Sequence, residues 1–195
     1  MSLSIEPSLR RHFSDLKVLV GQIENVTVRA STPELEALKE DITEQTKNNY
    51  NLESIKDNPI FKAYRDFFWK IKVDPTKIRP ASEALIRRVV GGKPLPRINS
   101  LVDAYNLASI KTEIALAAFD ADKLRGNLLM RFAFEGEEFL GVGMEKPMKL
   151  AGSQVVVSDD KQIVAIYPYR DADASKVTEE TKNVLILVCG VPGIS

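Results

Sequence analysis

The stretch VDAYNLASIKTEIALAAFD, residues 102–120, places Tyr105 and Asn106 in a helically spaced first half that runs into an almost uncharged second half. Asn106 has the chemistry to orient the carbonyl or amino group of a bound substrate. As a polar residue late in a helix it can equally cap a neighbouring loop. A second polar cluster, Tyr167, Tyr169, Arg170, Asp171 and Asp173, follows an apolar run. Polar groups at a strand end converge on ligand pockets; the rival reading is an Arg170–Asp171 ion pair across a turn, worth at most about 1 kcal/mol at a surface. Neither stretch contains histidine or cysteine, so no ready-made nucleophile and base stand there.

A third group is cationic. Between Phe61 and Arg97 ten bases face three acids, a surplus of seven positive charges in a chain whose formal net charge is zero. Arg79, Arg87, Arg88, Lys93 and Arg97 are the candidate phosphate contacts. Clustered bases gather phosphates by releasing counterions; the bland reading is a solvated helix face.

Other chemistries are discounted. His12, the single histidine, lies far from both polar clusters. Gly141-Val142-Gly143 lacks the third glycine and the strand-to-helix context of a dinucleotide loop. No cysteine–histidine spacing suggests zinc, and neither a metal nor a cofactor is expected. Glu135, Glu137 and Glu138 bracket Gly136 in what reads as a turn with solvated carboxylates.

The elements that must position these groups are legible in part. Lys17–Val20 and Val26–Val28 read as a strand pair flanking a turn at 21–25. Thr32-Pro33-Glu34 and Asn58-Pro59 are helix starts, each a capping side chain followed by a proline at the first helical position. The first helix runs to about Lys47. In the second, Ile60, Phe61, Tyr64, Phe67, Phe68 and Ile71 form an apolar stripe of helical period, read as core rather than as a base-stacking platform. A third helix, about Ala81–Val90, puts Arg87 and Arg88 in its last turn and stops at Gly91-Gly92. Pro94 and Pro96 make an extended connector to a fourth helix, about Ser100–Lys111. Beyond residue 114 short strands follow: Leu128–Phe134, Glu138–Val142, Gln154–Ser158, Ile163–Tyr167 and Asn183–Val188, with Asp159-Asp160 as a hairpin turn. Helices first and antiparallel-looking strands second imply an α+β protein with helices against one side of a sheet layer.

With 44% apolar and 28% charged residues, the 195-residue composition is that of an ordinary globular protein. No apolar run approaches a membrane span, and the start lacks a secretion-like stretch, so a cytoplasmic location is expected. Cys189, the single cysteine, has no internal disulfide partner and reads as a buried thiol.

The segments SLVDAYNLASIKTEIALAAFDADKLRGNLLMRFAFEGEEF and SDDKQIVAIYPYRDADASKVTEETKNVLILVCG resemble the B3/4 domain of the phenylalanyl-tRNA synthetase β subunit. The likeness rests on the order of an N-x-V-D-x-x-N segment, an A-F-D-x-D-K-L segment, an E-G-E turn, a hairpin and a terminal E-T-x-N-V-L strand, over roughly residues 98–190. It implies a single domain of 1–195 in a three-layer β/β/α arrangement, with residues 1–95 as a mainly helical first half and 96–195 as a mainly β second half. It also implies an editing function, hydrolysis of a wrongly attached amino acid from tRNA, the second sieve required where a pocket cannot reject a near-isostere. A complete ligase is excluded by length.

Matched to the family, Asp103 and Asn106 are retained and Tyr105 replaces a threonine. The family's histidine before A-F-D falls at Ala117, its glutamate on the last strand at Leu187, and its glycine-rich turn at residues 167–171. Alanine and leucine accept no proton. Either hydrolysis rests on backbone amides, Asn106 and the tRNA's own terminal hydroxyl, or the module binds without cutting. The expected partner is tRNA or another RNA, with Asn106, Tyr105, Tyr169, Arg170 and Asp171 reading an aminoacyl group. The alternative is a non-catalytic module for a small amino-acid-like ligand. Both require the segment ending at Phe119-Asp120 and the loop through Tyr169–Asp171 to meet around a shared hollow.

Overall fold

The computed structural model describes residues 1–194. The chain opens with strand β1 (Leu3–Ile5), helix α1 (Pro7–His12) and strand β2 (Val18–Ile23). Helix α2 (Pro33–Asn49) starts as its cap predicts: Thr32 Oγ1 accepts the Leu35 N–H at 3.3 Å. Helix α3 (Pro59–Lys70) is capped by Asn58, whose side chain accepts from Ile60 and Phe61. Helix α4 (Ala81–Val90) ends at Gly91-Gly92, and it is Gly92 that takes the positive φ, 77°, closed to most side chains. Asn99 caps helix α5 (Ser100–Thr112).

Eight strands follow: β3 (Ala115–Asp120), β4 (Leu128–Phe132), β5 (Glu135–Phe139), β6 (Met148–Ala151), β7 (Val155–Ser158), β8 (Ile163–Ile166), β9 (Arg170–Asp171) and β10 (Val184–Cys189). They form a five-stranded sheet ordered β1-β4-β7-β8-β9, a three-stranded sheet ordered β2-β10-β3 and a β5-β6 ribbon. Only β1 and β4 pair in parallel.

Alternation along β10 explains the layering. Leu185, Leu187 and Cys189 join Met130, Val155, Val157 and Val164 in the core between the two larger sheets. Val184 and Ile186 point the other way, to Val102 and Tyr105 of α5. The result is sheet on sheet with helices outside, the three-layer β/β/α arrangement. Helices α1 and α3 close the space between the sheets with Leu9, Phe13, Tyr64, Phe67 and Phe68, all fully or nearly fully buried. The aromatic stripe of α3 is therefore core.

The N-terminal strand pair is corrected. Val18–Ile23 is one strand that passes straight through Gly21, because β10 offers a continuous antiparallel partner with Ile186 opposite Gly21. Residues 26–28 have no regular structure, and β1 and β2 belong to different sheets. The reading of residues 135–138 as a solvated turn holds for the exposed Glu135 and Glu138 around Gly136, whose φ is 82°, but not for Glu137. Residues 135–138 open strand β5, and Glu137 takes the Arg131 guanidinium through both oxygens, at 2.8 and 2.9 Å.

Candidate functional site

Strands β3 and β10 bring the two family-matched positions face to face. Ala117 and Leu187 are direct partners in the antiparallel ladder, and both side chains lie in the inter-sheet core, Leu187 at 1% exposure. The space before them is closed by aromatic groups. Tyr64 of α3 donates its hydroxyl to the Cys189 carbonyl, and the Tyr167 hydroxyl donates to the Gly190 carbonyl at 2.5 Å. Ala117 and Leu187 themselves carry no acid or base to position a water; the Asp171 carboxyl is near enough to help burial push the Cys189 thiol up.

The two polar stretches do meet, at the corner where the sheets join. β9 lies beside β3, and Phe119 bridges to Lys176 just beyond β9. On the inner side Phe119 and Tyr167 are buried in the main core, and Tyr169 sets its ring 5.6 Å from that of Phe68. Toward α5, Tyr105 and Asn106 are half-buried. Burial pushes the Tyr105 phenol up, helped by the nearby charges of Asp171 and Asp103. Asp171 is half-buried by area, and burial alone pushes its carboxyl up to about 7. Its backbone pairs with Ala165 and accepts the Val142 N–H at 2.9 Å.

Arg170 points away from this corner. Its side chain runs over Gly141, where an added Cβ would stand 2.5 Å from Arg170 Cδ, and Nη1 reaches the Val142 carbonyl at 3.4 Å. No ion pair joins Arg170 to Asp171 among the described residues, as alternation along a strand dictates. Asp173 pairs with Lys176 at 2.7 Å. The corner thus brings Asp171 toward Tyr105, with Asn106 the next residue of α5; Tyr169 lies on its core side and Arg170 outside it.

The cationic residues divide as well. Glu83, 0% exposed, accepts Arg65 through both oxygens at 2.6 and 2.9 Å and Arg87 Nε at 2.6 Å. A buried carboxylate shared by two guanidiniums fixes α3 against α4 and spends part of their charge. Beside this triad a depression of about 480 Å³ is lined by Lys77, Arg79, Arg87, Arg88 and Lys93, together with Leu52, Ala84 and Gly91. No acid lines it. Arg88 is held by its Nε bond to the Pro94 carbonyl at 2.6 Å. Lys93 is positioned by its N–H bond to the Arg88 carbonyl at 2.9 Å, so the last carbonyls of α4 are occupied rather than turned toward an anion.

Arg97 does not line this depression but shares with Lys93 the lining of another. It clasps Glu36 of α2, which also takes Lys39 at 2.8 Å; the Lys39 ammonium foremost holds the Glu36 carboxyl down at about 2. Lys77 is the lining cation that sequence reading left unnamed, although its place within the basic segment was the available signal. His12 packs edge-on against Phe13 and Phe132, at 4.7 and 5.7 Å between ring centres. Among the described residues no three acidic, histidine or cysteine side chains are grouped to hold a metal ion. No helix among them is long and apolar enough to cross a membrane, and Cys189 is a buried free thiol.

Comparison with known proteins adds three findings. The family model described as B3/4 domain matches residues 63–195. Among curated proteins the chain is similar to phenylalanine–tRNA ligase beta subunits. It is 31% identical to that of Fusobacterium nucleatum subsp. nucleatum over 102 residues (52% of this chain, 12% of the relative). It is 35% identical to that of Ruegeria pomeroyi over 99 residues (51% and 12%), and 26% identical to that of Dehalococcoides mccartyi over 174 residues (88% and 20%). The chain therefore spans only about a tenth to a fifth of the length of these relatives. Among solved structures, an N-terminal fragment of the phenylalanyl-tRNA synthetase beta-subunit from Pyrococcus horikoshii aligns with a TM-score of 0.42 and 13% identity, over 88% of this chain and 68% of the fragment.

Proposed function

The chain belongs to the B3/4 domain family, whose model covers residues 63–195, and from that premise we propose that it is a cytoplasmic RNA-binding module that holds the acceptor end of a tRNA without cutting it. The observation carrying this reading is the acid-free depression formed by Lys77, Arg79, Arg87, Arg88 and Lys93. Phosphates are its natural occupants. Guanidiniums present planar donor forks to phosphate oxygens, and each phosphate so neutralised releases condensed counterions. The relatives' name supplies the nucleic acid: they are ligases for tRNA. The absence of hydrolysis follows from Ala117 and Leu187, apolar partners in a packed core at the family's histidine and glutamate positions.

The test is filter binding of tRNA over a salt series. The wild type is expected to lose affinity steeply as salt rises. Replacing Arg88 and Lys93 together by alanine is expected to shallow the log–log slope by roughly 0.7–0.9 for each phosphate no longer neutralised. A salt-independent signal, or an unchanged slope in the double variant, overturns the reading. Deacylation of tyrosyl-tRNA is expected to proceed at the buffer rate; a faster rate assigns hydrolysis to Asn106 or to the tRNA's own terminal hydroxyl.

A second reading is favoured by Asp171. A half-buried carboxyl in no ion pair among the described residues, near Tyr105, suits the ammonium or hydroxyl of an amino-acid-like ligand. Calorimetric binding that ignores salt and is lost in Asp171→Asn supports this reading.

A further inference from the structure

Helix α3 carries one aromatic residue that the core does not use. Phe61, Tyr64, Phe67 and Phe68 are at most 1% exposed, whereas Trp69, the chain's single tryptophan, is 56% exposed. Tryptophan is highly buried on average, so an indole left in water on a regular helix face calls for an occupant. Among the described residues no aromatic ring stacks on it, and the cation–π contact there joins Arg131 to Phe134 instead.

Its surroundings are mainly cationic. Lys62 and Arg65 lie seven and four positions earlier, on the same side of the helix, with Asp66 as the acid among them, while Lys70 and Lys72, next along the chain, are exposed. Lys72 is turned out by a left-handed φ of 58°, with its N–H bonded to the Trp69 carbonyl at 3.1 Å. One turn back, Arg65 shares Glu83 with Arg87, which lines the basic depression. Trp69 thus follows by one helical turn the residue that ties α3 to this ion-pair network. Protein–protein interfaces are depleted of lysine relative to the rest of the surface. The lysine-rich rim here fits a polyanion with flat apolar faces, that is, unpaired nucleotides.

We propose that Trp69 is a base-stacking platform: an unpaired nucleobase of the bound RNA lies on the indole while the adjoining phosphates meet the exposed lysines Lys62, Lys70 and Lys72. This rests on the RNA-binding reading and gives it single-stranded character on one side. A paired stem alone presents no base face to stack.

Trp69 reports on itself, because no other tryptophan contributes fluorescence. Titration with a short single-stranded RNA of mixed sequence is expected to quench the emission along the filter-binding isotherm, whereas inorganic polyphosphate is expected to leave it unchanged. Trp69→Leu is expected to weaken RNA binding by about 5- to 100-fold, with Trp69→Phe recovering most of the loss and thermal melting unchanged in both. RNA that binds by filter assay without quenching, with Trp69→Leu binding as tightly as the wild type, overturns the platform and leaves the basic depression standing. Equal quenching by polyphosphate overturns it too, since the indole then senses charge rather than a base. No RNA binding by either assay removes both readings.

Discussion

The Tyr64 hydroxyl accepts the backbone N–H of Ala115 at 3.0 Å while donating to the Cys189 carbonyl. One side chain of α3 thus ties together the ends of β3 and β10, at the mouth of the inter-sheet space. Removing it should be felt as a missing partner, not as a lost ring. Tyr64→Phe keeps the packing but leaves a buried N–H unsatisfied, a cost of about 1–3 kcal/mol. The expected readout is a lower chemical-denaturation midpoint with unchanged slope; an unaltered midpoint would mean that water reaches Ala115.

Leu187 tests whether that space is sealed. Leu187→Glu restores the residue type that the family resemblance places on this strand, yet it sets a carboxylate opposite Ala117 within the apolar inter-sheet core. The expected loss is about 3–5 kcal/mol, the range for an uncompensated buried charge. Thermal melting of Leu187→Glu beside Leu187→Gln separates charge from shape. A Leu187→Glu protein as stable as the wild type would reveal a hydrated cavity and reopen the case for hydrolysis.

Helix starts were legible because their determinants are local. Thr32 and Asn58 sit directly before prolines and do cap, and the stripe from Ile60 to Ile71 needs only helical period. Strand β3 was missed for the opposite reason. Ala115–Asp120 is alanine-rich, and what makes it extended is pairing with β10, nearly seventy residues further on. Gly21 misled in the same way, a turn residue by habit held straight by a neighbouring strand. The basic surface was visible as a charge surplus. That Glu83 would serve Arg65 and Arg87 at once was not, since counting charges does not show which carboxylate is buried.

The Glu83 triad gives a prediction that separates folding from binding. Glu83→Gln leaves two guanidiniums without their shared counter-charge and is expected to cost about 3 kcal/mol or more. Arg97→Ala, which removes a cation paired with Glu36 and absent from the lining of the basic depression, is expected to change neither stability beyond about 0.5 kcal/mol nor tRNA affinity. Melting and filter binding of the two variants check both statements. A large affinity loss in Arg97→Ala would move the RNA path toward the Glu36 surface.

Asp171 makes stability depend on pH with a sign opposite to the usual carboxylate. Burial raises its folded-state pKa to about 7 from an ordinary value of 3.8. Between those values the folded protein holds a proton that the unfolded chain releases, so stability falls as pH rises through the window and levels off above about 7. The titratable neighbours do not mask the effect. The Tyr105 phenol and the Cys189 thiol are both pushed upward by burial first and remain neutral there. Glu36 and Glu137 are held down, by Lys39 and Arg131 foremost, and their contribution is lost only as pH falls below the ordinary carboxylate range. Asp171→Asn removes the penalty. The variant should match the wild type near pH 4 and exceed it at pH 8 by on the order of 1–2 kcal/mol, the full shift being discounted for the partial exposure of the group. Denaturant midpoints of both proteins from pH 4 to pH 8 decide the matter. Parallel curves would place the Asp171 carboxylate in water and remove the basis for a ligand pocket at the corner between β9 and α5.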